Sequence, residues 1–317
     1  MKSLIFATWM LGGLFLLLRG GTWLVVGTAS VGVRLSWSPF VMGALVMGFG
    51  TSAPELFATI QANTAGYSGL ALGNIIGSNI ANMALIMGFA AMVRPMATDP
   101  FIWKQSVWLL IATAVMVTLI TFFGIDRWFA GGALLAMAFY VVSLMRNRQR
   151  SLPYGMQQQE DPRQHVRVLS TWGWDGVYII GGLVALMVGA DALVHGASGV
   201  ARLWGVSDTL IGLTLVAMGT SLPELFSVLA SFRHGEDDLI VGNILGSSFF
   251  NILAILGVAA MVSPMEAQPF LFSHGVVLFV VGWLWLFYIW RQRFSGVSLL
   301  VVYGAWLLAT LYLSTGS

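Results

Sequence analysis

Two six-residue words stand in apolar surroundings, GTSAPE at 50–55 and GTSLPE at 219–224. Each sets a carboxylate, Glu55 or Glu224, directly after a proline and within about a turn of two hydroxyls, Thr51 and Ser52 or Thr220 and Ser221. Pro54 has no N–H, so the carbonyl of Gly50 loses its helical donor and the ring pushes that turn apart; Gly48 and Gly50 loosen it further. The second word matches it with Ala217, Gly219 and Pro223. A carbonyl freed in an apolar medium must find a partner, and broken membrane helices use such carbonyls to hold cations. Carboxylate, hydroxyl and carbonyl oxygens are hard ligands, suited to Na⁺ and Ca²⁺ and poor for zinc or copper.

A second pair of words follows, GNIIGSNIAN at 73–82 and GNILGSSFFN at 242–251. Asn74, Ser78 and Asn82 fall at i, i+4 and i+8, one face of a helix, as do Asn243, Ser247 and Asn251. Gly73, Gly77, Gly242 and Gly246 let another helix approach closely. Asn and Ser on such helices often only bridge to a neighbour, so Asn74 and Asn243 are read equally as bridges or as ligands, and a proline is often only a kink. Glutamate differs. A carboxylate deep in a bilayer costs several kcal/mol unless neutralised, and two in identical contexts point to a cation or a proton.

The elements that position these words are membrane helices. The 317 residues are 58% apolar and 9% charged, and mean hydropathy is +0.85, so lipid must be the solvent for most of the chain. The reading is an all-α polytopic membrane protein with ten transmembrane helices, near 4–30, 37–64, 69–93, 102–123, 127–146, 174–200, 206–232, 238–262, 270–290 and 295–313. The N-terminal apolar run has no small-x-small cleavage site and is read as the first of them. The polar stretch 148–172 is a linker that divides a five-helix repeat at 1–147 from a second at 173–317.

Basic residues set the orientation. With the N-terminus outside, the inner side holds Arg34, Arg94, Lys104, Arg146, Arg148, Arg150, Arg163, Arg167, Arg233, Arg291 and Arg293. The outer side holds Lys2, Arg127 and Arg202. The expectation is therefore N-out and C-out in the inner (cytoplasmic) membrane, with the linker in the cytoplasm. These charges report topology and do not indicate nucleic acid.

An offset of 169 carries Gly43–Met96 onto Gly212–Met265 without a gap, with roughly two positions in five identical. Halves with an odd number of spans lie upside down relative to each other, and inverted repeats supply two related gates. Other charges inside apolar runs are Arg19 and Asp191, read as snorkelling or helix-end residues; Glu236, Asp237 and Asp238 read as solvated. The four histidines lack metal spacing, His195 reading as packed or interfacial, and there is no cysteine. No resident cofactor is expected, and no pattern fixes an oligomeric state.

GTSAPE with GNIIGSNIAN, and GTSLPE with GNILGSSFFN, resemble the two signature repeats of the cation/calcium exchanger superfamily, specifically its bacterial sodium/calcium antiporter type. The resemblance implies a mid-membrane cluster in which Glu55 and Glu224 are shared Ca²⁺ and Na⁺ ligands. Thr51, Ser52, Ser78 and the carbonyl of Gly48 would serve Na⁺ on one side. Thr220, Ser221, Ser247 and the carbonyl of Ala217 would serve it on the other, with Asn82 and Asn251 completing the centre. It also implies that the first and sixth helices slide across the other eight. Position 251 departs from the better-known exchangers, which carry aspartate there, so Na⁺ and H⁺ both stay open as the driving ion.

Two carboxylates facing each other in a dry site cannot both stay ionised without a compensating cation or proton. Ca²⁺, Na⁺ and H⁺ then compete for the same oxygens, which is the basis of antiport, and an ion shifts the gate only through its different affinity for the two states. The leading reading is exchange of Ca²⁺ for Na⁺ by alternating access; the alternative is a Ca²⁺/H⁺ antiporter on the same scaffold. A channel is disfavoured by inverted symmetry within one chain. An intramembrane enzyme is disfavoured by the absence of a zinc-binding histidine motif and by the match of every polar word to its twin.

Overall fold

The computed structural model describes residues 2–94, 100–147, 168–205, 217–291 and 296–315. Every helix-length element among them is helical: α1 (Lys2–Leu35), α2 (Pro39–Thr51), α3 (Ala53–Thr64), α4 (Ser68–Val93), α5 (Pro100–Phe122), α6 (Arg127–Arg146), α7 (Trp172–Leu203), α8 (Ala217–Gly219), α9 (Leu222–His234), α10 (Asp237–Val262), α11 (Phe272–Arg291) and α12 (Gly296–Thr315). Among these residues seven helices are long and apolar enough to cross a membrane, eight if the bent pair α2 and α3 is one span; α12 is apolar over the shorter stretch Gly296–Thr310. Residues 206–216, the first part of the expected seventh span, and 148–167 of the linker lie outside the described residues.

The outer pair is built on a seven-residue glycine period. Gly13 and Gly20 on α1 face Gly189 and Gly182 on antiparallel α7, while Gly27 meets Ile179 and Gly196 meets Phe6 and Met10. A Cβ on Gly13 would sit 2.6 Å from the Leu193 nitrogen, one on Gly20 2.8 Å from that of Leu186, and one on Gly182 2.6 Å from that of Leu24. A strict seven-residue period keeps one seam facing its partner along the whole helix, and small residues bring the backbones together where lipid supplies no hydrophobic force. One step beyond Gly27 lies Arg34, and one step before Gly182 lies Asp175. They form an ion pair at 2.7 Å with Asp175 only 1% exposed. Ser30 donates to Asp175 at 2.6 Å, Arg34 donates to the Leu169 carbonyl, and the Leu169 N–H donates to Ser30 at 3.0 Å. Arg34, expected in a loop, thus belongs to the last turn of α1. Asp175 is a buried membrane-helix charge that hydropathy reading passes over, because it sits at the edge of a long apolar run.

Ends that the basic residues assign to one side do meet. Arg94 pairs with Asp237 at 3.1 Å, while at the opposite face Asn63 donates to the carbonyls of Ala259 and Ser263 and the Ile125 N–H donates to Met265. Asp237 is therefore paired, and Glu236, expected to be solvated, is half-buried in the turn before α10. Arg19 and Asp191 lie exposed on the outer faces of α1 and α7, the Arg19 guanidinium 5.7 Å over the Phe15 ring. His195 meets Trp9 edge-on at 5.3 Å.

Candidate functional site

Both proline words break their helices at the same residue and in the same way. Ser52 has φ −85° and ψ 9°, and Ser221 has φ −88° and ψ 1°. Each proline falls at the start of the helix that follows, where a missing N–H costs nothing, and α3 leaves α2 at 43°. Glu55 and Glu224 therefore sit in the first turns of α3 and α9, next to the positive ends of those helix dipoles, which favours a carboxylate there. They are 1% and 0% exposed.

The two repeats meet crosswise. Ser52, from the first word, donates to Glu224 of the second at 3.1 Å. Thr220, from the second word, lies beside the Glu55 carboxyl, its hydroxyl in no regular hydrogen bond. Thr51 reaches the Asn243 side-chain oxygen at 3.4 Å, and Ser247 donates to the Gly48 carbonyl at 3.1 Å. Ser247 thus stands against Gly48, across the repeat boundary.

Asn82 and Asn251 lie in π-helical turns, Ala81–Ile86 and Phe250–Ile255, where i to i+5 bonding inserts an extra residue into the helix. The strict i+4 face expected from the sequence therefore slips at the last asparagine of each word. The turn bearing Asn251 packs on α3, and the turn bearing Asn82 packs on α9, again crosswise. Both asparagines are 1% exposed. Ser78 and Ser221 are buried and Thr220 is half-buried nearby; Ala217 opens α8 two residues before the second word.

The hydrogen-bond pattern at the centre is incomplete in a consistent way. Among the described residues, Glu55 Oε2, Glu224 Oε2, Asn82 Oδ1 and Asn251 Oδ1 are all buried without a hydrogen-bond partner. Buried polar atoms are normally paired, and these unpartnered oxygens are of the hard type that Na⁺ and Ca²⁺ prefer.

Asn74 and Asn243 do something else. Asn74 donates to the Thr59 hydroxyl at 2.9 Å and to the Glu55 carbonyl at 3.4 Å, while Asn243 donates to the Ser227 hydroxyl at 2.8 Å. Ser227 in turn donates to the Glu224 carbonyl at 2.7 Å. These amides brace the turn carrying each glutamate from behind. Thr59 and Ser227 were missed from sequence. The signal was available, since each glutamate is followed by a hydroxyl three or four residues on, but the two are offset by one residue and so do not align between the repeats.

The family model described as sodium/calcium exchanger protein matches residues 5–147 and 174–312. The sodium/calcium exchanger MaX1 of Methanosarcina acetivorans is 30% identical over 342 aligned positions, covering 96% of this chain and 98% of that protein. The inner membrane protein YrbG of Escherichia coli K12 is 30% identical over 315, covering 95% of each. Among solved structures, the sodium-calcium exchanger NCX_Mj soaked with zero Na⁺ and Ca²⁺ superposes with a TM-score of 0.82 at 28% identity, covering 97% of this chain and 99% of that one.

Proposed function

The chain belongs to the sodium/calcium exchanger protein family, and we propose that it exchanges Ca²⁺ for Na⁺ across the membrane by alternating access, with Glu55 and Glu224 as shared ligands. The observation that carries the proposal is the crossed pair of buried carboxylates, each with an unpartnered oxygen and each beside a hydroxyl of the opposite repeat. Asn82 and Asn251 complete the centre. Thr51, Ser52, Ser78 and Gly48 serve one flank, and Thr220, Ser221, Ser247 and Ala217 the other, with Ser247 also reaching the Gly48 carbonyl.

Two carboxylates balance the charge of one Ca²⁺ or two Na⁺. In a dry site they cannot hold both loads together, so each ion displaces the other, and that mutual exclusion makes the cycle an exchange. The scaffold is two inverted five-helix repeats, ten spans in all, with residues 148–172 as a cytoplasmic linker and both termini outside the cytoplasmic membrane. The relative named as an inner membrane protein supports that location. The α1–α7 pair serves as the gate. It meets the core through glycines: a Cβ on Gly21 would strike the Phe226 carbonyl at 2.6 Å, and Gly50 and Gly219 face Leu183 and Val194. At each of these contacts one of the two surfaces presents only backbone.

A second reading, Ca²⁺/H⁺ antiport, is favoured by one feature. Position 251 is an amide, so a protonated glutamate could replace a bound Na⁺ without a third carboxylate. Both readings are transport and involve no catalysed bond change. In vesicles loaded with Na⁺, an outward Na⁺ gradient should drive Ca²⁺ uptake, and Glu55→Gln or Glu224→Gln should reduce it to the level of empty vesicles. Uptake sustained by a pH gradient alone, without competition from Na⁺, would select the second reading. Uptake unchanged in both variants would remove the glutamates from the mechanism.

A further inference from the structure

Asn243 stands where the two repeats meet, and the hydrogen bonds around it leave its amide one orientation. It is fully buried, as is Ser227 beside it. The Ser227 hydroxyl has a single proton, which it spends on the Glu224 carbonyl at 2.7 Å, a group that only accepts. Toward Asn243, Ser227 is therefore an acceptor, and the amide end that meets it at 2.8 Å must be the NH₂. The two ends of an amide are alike in shape, and the hydrogen-bond network decides between them. With its NH₂ held by Ser227, the amide turns its oxygen to Thr51 of the opposite repeat, 3.4 Å from the hydroxyl.

That orientation decides what Thr51 can do. Thr51 is buried, and its hydroxyl already donates to the Met47 carbonyl at 3.0 Å. Met47 and Asn243 both present oxygens to it, so neither fills a lone pair of the threonine. A flipped amide would donate an N–H into one of those lone pairs and compete with any cation for the hydroxyl oxygen. We propose that Asn243 is a positioning residue for ion selection: locked by Ser227, it keeps the Thr51 hydroxyl oxygen free to bind Na⁺. The proposal rests on the reading of Thr51 as a Na⁺ ligand in the exchange cycle. Among the described residues the other repeat shows no such lock. Asn74 spends its NH₂ on Thr59 at 2.9 Å and on the Glu55 carbonyl at 3.4 Å, and the Thr220 hydroxyl has no hydrogen-bond partner.

The test is equilibrium Ca²⁺ binding to the purified full-length chain, with and without Na⁺ as competitor, in the wild type, Ser227→Ala, Thr51→Ala and the double variant. Ser227→Ala removes the acceptor that holds the NH₂ and leaves the amide free to turn. The Na⁺ affinity read from the competition should fall about fivefold, the scale of one hydrogen bond, while Ca²⁺ affinity without Na⁺ falls only about twofold. Thr51→Ala should lower Na⁺ affinity at least as far, and the double variant should match Thr51→Ala alone, because both changes act through one oxygen. Equal losses of Na⁺ and Ca²⁺ affinity in Ser227→Ala, or losses that multiply in the double variant, would make Asn243 a structural brace only and overturn the proposal. Thr51→Ala with wild-type Na⁺ affinity would instead remove Thr51 from the ligands, and the proposal would fall with that reading. Retained Ca²⁺ binding in the absence of Na⁺ reports that each variant is folded.

Discussion

The two halves of the proposed cation centre share their words but differ in the residues around them. On the Gly48 side, α2 lies backbone to backbone against α10. A Cβ on Gly48 would fall 2.7 Å from the Ser247 nitrogen, one on Gly246 2.5 Å from the Ala44 Cα, and one on Gly43 2.5 Å from the Leu239 carbonyl. That closeness lets Ser247 reach the Gly48 carbonyl. At the equivalent position the second repeat carries alanine, Ala217, in place of glycine. The bracing hydroxyls differ too, Thr59 standing four residues after its glutamate and Ser227 three after its own. The comparison separates the duplicated carboxylates, which stand in like positions, from the single-residue departures at 48/217 and at the bracing hydroxyls, whose effect the variants below measure.

The sharpest way to break that comparison is Gly48→Ala. The methyl meets backbone that cannot rotate away, and overpacking of this kind costs about 1–3 kcal/mol. Exchange should fall roughly tenfold or more, while Ala217→Gly should leave the initial rate within about twofold. Equal effects from the two changes, measured as initial Ca²⁺ uptake in vesicles, would show that the flanks are equivalent after all.

Next come the crossed hydroxyls. Ser52 holds a hydrogen bond to the Glu224 carboxylate, and one to a charged group is worth about 1.5–3 kcal/mol. Ser52→Ala should therefore weaken Ca²⁺ binding about tenfold. Thr220→Ala, which removes a hydroxyl with no regular partner, should change it only about twofold. If Thr220→Ala is the more damaging, the Glu55 side closes more tightly around the ion than its geometry here indicates.

The smallest effect lies outside the membrane. Burial, and then the neighbouring Asp238 and Asp237, push the Glu236 carboxyl up to about 7. Its folded-state value is raised, so its contribution to stability is fully present below the ordinary carboxylate range and is lost as pH rises through about 7. Melting temperature in detergent should fall modestly between pH 5 and pH 8. Glu236→Gln should flatten that dependence without altering exchange.

Much of this was legible in the sequence because the relevant physics is local. A proline inside an apolar helical run disturbs the turn before it, and a glutamate in such a run is costly unless turned inward, so Glu55 and Glu224 announced themselves. Family membership followed from the same words. What stayed hidden depends on contacts between segments far apart in the chain. Nothing in GTSAPE says that Ser52 will face the glutamate of the other repeat, or that Ser247 will find the Gly48 carbonyl. The π-helical turns at Asn82 and Asn251 were invisible for another reason, since an extra residue in a buried helix leaves no mark on an apolar pattern. The Arg34–Asp175 pair could have been found by extending the glycine period one step at each end, which hydropathy averaging smooths away.

The most direct test of the central claim, that the two glutamates form one site, is Ca²⁺ binding to the purified chain titrated against Na⁺. The account predicts Ca²⁺ binding that Na⁺ displaces and that either Glu55→Gln or Glu224→Gln alone abolishes. Full-affinity, Na⁺-sensitive Ca²⁺ binding that survives in either single variant would contradict it.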